Sequence, residues 1–236
     1  MQRTMIPDAR LLTALPFLRA GARVIDVGTD HAYLPIYLLE QGLVSFALAC
    51  DINEGPIASA RANIRAAGLS DRIETMRTDG LVGTEYFSPD HILIFGMGGE
   101  LIARILSDAP WVCTERISLV LQPMSRVSFL RRWLLENGFS ITGEAISQRD
   151  KYYQTIEARF DPTRARGACE WSEEELLLGR LNIAQNAPLL RGLILHEIGV
   201  TEGIVRGKSK AGADVSQEMG MLKKLNERLE KCNDGQ

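Results

Sequence analysis

The sequence VIDVGTDH, residues 24–31, decides the fold of this chain. An apolar run that ends in an acidic residue and a glycine is typical of the first strand of a doubly wound α/β sheet. Gly28 lets the backbone turn close to a ligand, and the helix that follows offers free N–H groups at its N-terminus. The stretch therefore predicts a ligand-binding strand end.

The alternation of strand and helix continues over the rest of the first 160 residues. Apolar strand-like runs are followed by amphipathic helical stretches, and two further runs make a hairpin. The predicted strands cover residues 22–27, 46–52, 72–77, 90–95, 117–121, 139–146 and 152–160. This rhythm predicts a mainly parallel sheet with helices on both faces. Ligands of such sheets bind at the carboxyl ends of the strands.

The pattern changes after Phe160. A Pro-, Gly- and Arg-containing link precedes Ser172, which we expect to cap a helix with an acidic first turn. Apolar residues at helical spacing then predict two long helices, joined by a hinge at residues 207–213. The apolar stripe of the second helix is Val215, Met219, Leu222, Leu225 and Leu229. We predict a first domain at 1–160 and a C-terminal helical hairpin at 170–236.

Composition excludes several classes of protein. The 236 residues are 45% hydrophobic and 24% charged with a net charge of −3, which is incompatible with a wholly disordered chain. No apolar run approaches the roughly 18 residues of a membrane span. The four cysteines form no CxxC pair, so we expect a cytoplasmic protein without disulfides or bound metal. We also expect a monomer.

Acidic residues follow three successive strands. Asp26, Asp51 and Asp79 each end a predicted strand, and a glycine-rich turn, GMGG at residues 96–99, ends the fourth. The dinucleotide fingerprint G-x-G-x-x-G is absent, and a carboxylate at Asp30 would repel a pyrophosphate. S-adenosylmethionine carries a cationic sulfonium and no phosphate. The acidic edge therefore favours S-adenosylmethionine over NAD.

Several longer motifs carry a family resemblance. They include DVGTDHAYLP at residues 26–35, DGL at 79–81, GMGGELI at 96–102, LQP at 121–123 and LRRWL at 130–134. In this order the blocks resemble the bacterial tRNA (adenine-N1)-methyltransferases that act on the adenine at position 22. The C-terminal hairpin is similar to that family's coiled-coil domain. Met124 departs from the pattern, because the family usually has Asn after Gln-Pro.

This resemblance implies a class I, Rossmann-like methyltransferase domain with S-adenosyl-L-methionine as donor and tRNA as acceptor. We expect the cofactor to contact Asp26, Gly28, Thr29, Asp51, Ile52, Asp79, Gly80 and Gly96. We expect the substrate to contact Arg10, Met97, Gly98, Gly99, Gln122 and Pro123. The residues expected to act on the acceptor are Asp30, His31 and Tyr33.

The chemistry suits these three residues. Adenine N1 has an in-plane lone pair and needs no strong base, so catalysis depends on positioning and electrostatics. Asp30 could stabilise the cationic product, and His31 or Tyr33 could orient the base. A target inside a tRNA stem must be extruded first. The hairpin lysines, Arg228 and a segment containing Arg3, Arg10 and Arg19 are expected to grip tRNA.

Other residues have simpler interpretations. His91 and His196 are expected to be structural, Trp133 to lie in the core, and Arg126, Arg131 and Arg132 to form a solvated helix face. Competing functions are a methyltransferase for another RNA or a protein, a non-catalytic RNA-binding relative, and an NAD-linked oxidoreductase. The missing glycines disfavour the last of these.

Overall fold

The computed structural model describes residues 8–233 and contains one seven-stranded sheet. The strands are β1 (Ala22–Val27), β2 (Val44–Asp51), β3 (Ile73–Arg77), β4 (His91–Gly98), β5 (Ser118–Ser125), β6 (Phe139–Gln148) and β7 (Tyr152–Phe160). All seven predicted strands are confirmed, with boundaries that differ by a few residues. The order across the sheet is β3-β2-β1-β4-β5-β7-β6.

Helices connect the parallel strands, and further helices follow the sheet. They are α1 (Ala9–Leu12), α2 (Tyr33–Glu40), α3 (Glu54–Ala66), α4 (Gly99–Ser107), α5 (Val127–Glu136), α6 (Glu173–Leu178), α7 (Arg180–Ala184), α8 (Leu190–Lys210) and α9 (Ser216–Asn233). Strands β1 to β5 pair in parallel, whereas β7 runs antiparallel to both β5 and β6. The order reverses between β1 and β4, which places a ligand-binding crevice at their carboxyl ends.

Two apolar layers cover the sheet. Ile25, Ile94 and Leu121 belong to one layer, and Val24, Leu93 and Val120 to the other. Neighbouring residues of one strand point to opposite faces, and both faces are buried, so the central strands are continuous apolar runs. The layers cover both faces of the central strands and leave the strand ends accessible.

Two residues expected to be structural are confirmed in that role. His91 is fully buried at the start of β4, where its Nε2 accepts the backbone N–H of Arg19 at 3.0 Å. Burial, together with the positive charge of the nearby Arg19, lowers the pKa of His91 to about 4. Trp133 packs against the larger apolar layer. Arg19 therefore lies at the amino-terminal edge of the sheet, opposite the carboxyl ends of the strands, where it pairs with Asp90 at 3.2 Å. Its contact with tRNA stays a prediction.

The C-terminal hairpin forms with two corrections. Ser172 and Glu175 make a capping box at α6, as expected. Helix α8 runs to Lys210, so Gly207 is helical and the hinge is shorter than predicted. Met219 is 53% exposed, and Met221 packs against the hairpin core in its place.

Two arginines also differ from their expected exposure. Arg228 is held by Glu174, with Nε and Oε1 2.6 Å apart, because α9 packs beside α6. Arg131, expected on a solvated helix face, is completely buried in an ion pair with Glu144 at 2.7 Å. Its other donors bond to the backbone oxygens of Leu176 and Leu177 and to Gln154. Since no donor is left without a partner, Arg131 can be stable inside the protein.

This buried arginine joins the hairpin to the sheet. Glu144 also accepts the N–H groups of Leu181 and Asn182 at the start of α7. Trp171 and Leu176 pack within the larger apolar layer of the sheet. Helices α6 and α7 are thus continuous with the first domain in their packing.

Candidate functional site

A cavity of about 350 Å³ opens at the carboxyl end of β1. The turn after β1 forms one wall, and α1 with the residue before it forms another. Its lining residues are Asp8, Arg10, Leu11, Asp26, Gly28, Thr29, Asp30, Tyr33, Leu34 and Phe95. The structure therefore brings together Asp26, Gly28, Thr29, Asp30, Tyr33 and Arg10 from the predicted set.

Asp26 is the buried acid of this cavity. Its side chain lies near the end of β1 and only 6% of the residue is exposed. Burial, together with a smaller contribution from the negative charge of Asp51, raises the pKa of Asp26 to about 6. A carboxyl group in this state gains from a cationic ligand, because the ligand replaces the stabilisation that water no longer supplies.

The turn after β1 is conformationally strained. Asp30 and Ala32 have positive φ angles of 50° and 57°, which non-glycine residues adopt rarely. Strain of this kind is concentrated at functional sites. The Asp30 side chain is 73% exposed, and its Oδ1 lies 3.4 Å from Nε2 of His31. The His31 ring stacks on Tyr33 with centroids 5.1 Å apart. The turn thus presents a carboxylate and two stacked rings to solvent.

The ends of β2 and β3 supply further polar groups. Asp51 accepts the backbone N–H of Asn53 at 2.8 Å, which fixes the carboxylate at the strand end. Ile52 beside it is 52% exposed, which leaves an apolar surface at the rim. Asp79 is also exposed, and its contact with Arg104 spans 3.9 Å. Gly80 adopts φ +59°, a conformation that favours glycine.

The end of β4 approaches the same cavity. Gly96 is exposed with φ +78°, and a Cβ there would lie 3.8 Å from the Arg10 guanidinium. Met97 reaches the turn after β1, since a Cβ on Gly28 would lie 2.5 Å from Met97 Cε. Gly99 is different: it is buried, and a Cβ there would lie 2.5 Å from the backbone oxygen of Arg126. Gly99 therefore permits close packing of α4 against α5, and its expected contact with substrate is not supported.

Gln122 also does not face the expected edge, because it is fully buried. Pro123 is buried too, although it lines a separate cavity at the end of β5. The Gln122 amide donates to the Arg10 backbone oxygen at 2.8 Å and to the hydroxyls of Thr13 and Thr155. Its oxygen accepts from Arg10 at 3.4 Å. Gln122 thus positions the Arg10 segment over the strand ends. Its buried position does not support the predicted direct contact with substrate.

Sequence reasoning missed the groups that hold Arg10. Asp8 caps α1 and forms ion pairs with Arg10 and Arg149. Arg10 also lies 5.7 Å from the Tyr153 ring centroid. Arg149 and Tyr153 come from a distant part of the chain, so no local pattern could indicate them. Asp8 balances much of the positive charge that Arg10 could offer a phosphate.

The acidic and apolar side chains at the strand ends fit S-adenosylmethionine. A cofactor with an ammonium and a sulfonium requires acidic groups, and Asp26, Asp30 and Asp51 stand at one edge. Its adenosine requires a ribose acceptor beside an apolar surface, and Asp51 is followed by the exposed Ile52. Gly28 keeps the turn after β1 free of a side chain, and its φ of +76° suits glycine.

The described part of the chain gives two negative findings. No helix formed by residues 8–233 combines the length and apolar character needed to cross a bilayer. Those residues also contain no group of three or more His, Cys, Asp or Glu side chains that could hold a metal ion.

Known proteins share this architecture. Residues 8–156 match a family described as a methyltransferase domain. The tRNA (adenine(22)-N(1))-methyltransferase of Bacillus subtilis is 34% identical over 94% of this chain and 93% of its own. A Streptococcus pneumoniae protein, assigned as a tRNA (m1A22) methyltransferase and solved with S-adenosyl-L-methionine, has a TM-score of 0.81 at 30% identity. The alignment covers 95% of this chain and 100% of that one.

The crystal structure of the B. subtilis m1A22 tRNA methyltransferase TrmK gives a TM-score of 0.77 at 30% identity, over 97% of this chain and 98% of that one. The similarity therefore spans the C-terminal hairpin as well as the sheet. With its sheet order, its acidic strand ends and these relatives, the chain belongs to the bacterial tRNA (adenine(22)-N(1))-methyltransferase family.

Proposed function

We propose that this protein transfers a methyl group from S-adenosylmethionine to N1 of the adenine at position 22 of tRNA. The observation that carries the proposal is the cavity at the end of β1, where a buried acid and an exposed acid flank a strained turn. Such an edge suits a cationic donor and an acceptor that becomes cationic. The B. subtilis relative with this activity covers almost the whole chain.

Asp26, Asp51 and the Gly28 turn are the proposed centre of the cofactor site. Asp51 would accept hydrogen bonds from the ribose hydroxyls, and Ile52 would cover the adenine ring. Asp26 would compensate the positive charges, with Thr29, Asp79, Gly80 and Gly96 completing the site. When bound, S-adenosylmethionine supplies a methyl group that is activated by the sulfonium, so that transfer leaves a neutral thioether.

Asp30, His31 and Tyr33 are proposed to act on the target base. The lone pair of N1 forms the new N–C bond, so the base gains a positive charge. Asp30 is exposed beside the cavity and would stabilise that charge as it develops. The stacked rings of His31 and Tyr33 offer a surface for the extruded adenine. Gly96, Met97 and Gly98 would form the opposite side.

The C-terminal hairpin is proposed to contribute to tRNA binding through Lys223, Lys224 and Lys231. These side chains are exposed on α9, and Lys223 makes a 3.9 Å contact with Glu227. Arg228 is excluded from this set by its bond to Glu174. Arg3 lies outside the described residues.

The domain division remains a proposal, and the shared packing of α6 and α7 favours a boundary after residue 184. A cytoplasmic monomer also remains a prediction.

The test is incubation of the protein with labelled S-adenosylmethionine and unmodified tRNA, followed by mass spectrometry of the nucleosides. We expect 1-methyladenosine from the wild-type transcript and none from a transcript with guanine at position 22. Methylation of both transcripts would support the runner-up, an enzyme for another RNA position. Cofactor binding without any RNA methylation would favour a protein substrate or a non-catalytic role.

A further inference from the structure

A second cavity, of about 270 Å³, lies at the carboxyl end of β5. It is bounded by the start of α5, the start of β7 and the first turns of α8. Ser125, Ser128, Lys151, Tyr152, His196 and Glu197 are among its lining residues. None of its lining residues lines the cavity at β1, so the two are separate.

This second cavity adjoins the proposed acceptor edge. Ser125 pairs with Gly98 across β5 and β4, and neighbouring strands are about 4.8 Å apart. A Cβ on Gly98 would lie 3.2 Å from Oγ of Ser125. A chain that places one nucleotide at Gly96–Gly98 would therefore bring an adjacent nucleotide to this cavity.

One wall is aromatic and tightly held. The rings of Tyr152 and His196 lie 5.8 Å apart at 50°. A Cβ on Gly192 of α8 would lie 2.2 Å from the Tyr152 hydroxyl, so a glycine allows this ring to lie directly against the helix. An aromatic surface fixed in this way suits stacking of a nucleobase.

The other groups match a phosphate and a polar base edge. Lys151 Nζ lies 3.4 Å from the Met124 backbone oxygen and 5.2 Å from the centroid of the Tyr153 ring, and no ion pair within 4 Å is formed with it by the residues that the structure describes. Ser128 lies in the first turn of α5. Burial raises the pKa of the Glu197 carboxyl. A carboxyl group can also hydrogen-bond to the amino group of a base.

We propose that this cavity binds a second nucleotide of the substrate RNA, beside the target adenine, with its phosphate at Lys151 and its base against Tyr152 and His196. The proposal rests on the proposed function, because it requires an RNA substrate. The cavity would hold the RNA in register while the target base is extruded.

Nuclear magnetic resonance can test the cavity without relying on activity. The chain has three histidines, so ¹⁵N-histidine labelling gives one imidazole in the second cavity, one at the acceptor edge and one buried at His91. With the cofactor site filled by S-adenosylhomocysteine, AMP is titrated to millimolar concentration. We expect saturable shifts of His196, no shift of His91, and binding at least about threefold weaker in Lys151→Ala.

Equilibrium binding of tRNA supplies the second readout. We expect His196→Ala to raise the tRNA dissociation constant about fivefold, within the range for loss of one stacked base. The affinity for S-adenosylhomocysteine should stay within twofold. Arg206→Ala is the matched control, because Arg206 is an exposed cation on the same helix, paired with Glu202 outside the cavity.

The proposal requires both the His196 shifts and the loss of tRNA affinity in His196→Ala. An unmoved His196 signal, or tRNA affinity in His196→Ala equal to that of Arg206→Ala, would overturn the proposal. The proposed function fails separately, if wild-type protein that binds tRNA produces no 1-methyladenosine.

Discussion

The strand-end site and the junction between α5, β6 and α6, formed around Arg131, both contain charged side chains. The two regions differ in how these charges are paired. At the junction, Arg131 and Glu144 are completely buried and bonded to each other and to the ends of α6 and α7. At the strand ends, Asp30 is exposed on a strained backbone. Asp26 is buried with a raised pKa. The junction groups have their partners within the protein, whereas the strand-end groups are left to act on a ligand.

The largest effect is expected at the junction. Arg131→Met leaves Glu144 buried without a counter-charge, which should lower the free energy of unfolding by about 3–5 kcal/mol. Urea denaturation measures this change. Arg132→Met is the matched control, since Arg132 is the next residue and pairs with Glu173 at the surface. That variant should lose no more than about 1 kcal/mol. Equal losses would mean that burial does not distinguish the two arginines.

Cofactor affinity should respond to Asp51. Asp51→Ala removes a charged acceptor from the proposed ribose site and should weaken S-adenosylmethionine binding by about 1.5–3 kcal/mol. Isothermal titration calorimetry is the measurement. Glu54→Ala removes a nearby exposed carboxylate that pairs with Arg61, and should leave affinity almost unchanged. Unchanged affinity in Asp51→Ala would remove Asp51 from the site.

Turnover should respond to Asp30. Asn tolerates a positive φ well, so Asp30→Asn removes the charge without adding strain. We expect kcat for tRNA methylation to fall by about tenfold or more, because the developing charge on the base loses its counter-ion. Cofactor affinity should stay within a few fold. A variant that binds S-adenosylmethionine poorly but methylates normally at saturation would assign Asp30 to the cofactor instead.

The raised pKa of Asp26 predicts a pH dependence of cofactor binding. Because the pKa of Asp26 is about 6, this carboxyl group is mostly protonated in the free protein below pH 6. It must then lose its proton before it can face a cation. Affinity for S-adenosylmethionine should therefore fall roughly tenfold from pH 7 to pH 5, by proton linkage. The Asp26→Asn variant should bind S-adenosylmethionine more weakly, and its affinity should lack this pH dependence. A wild-type affinity that does not change over this range would contradict the assignment.

Local sequence was sufficient for the sheet and for the acidic edge. The β1 run with its glycine turn and the Ser172 cap are properties of adjacent residues. The exposure predicted for Arg131 is wrong because the partners of this residue lie on β6, β7 and α6, which a helical pattern on α5 does not reveal. Gln122 and Gly99 were placed at the acceptor edge for the same reason. Their roles depend on the Arg10 segment and on the backbone of α5.

The most direct test of this comparison is a crystal structure of the protein with S-adenosylhomocysteine. We expect the ligand to lie along the ends of β1 and β2, with its ribose hydroxyls bonded to Asp51 and its sulfur facing the turn at Gly96–Gly98. Arg131 and Glu144 should keep the contacts that they have without ligand. A ligand bound elsewhere, or one that leaves Asp26 and Asp51 without contact, would contradict the account.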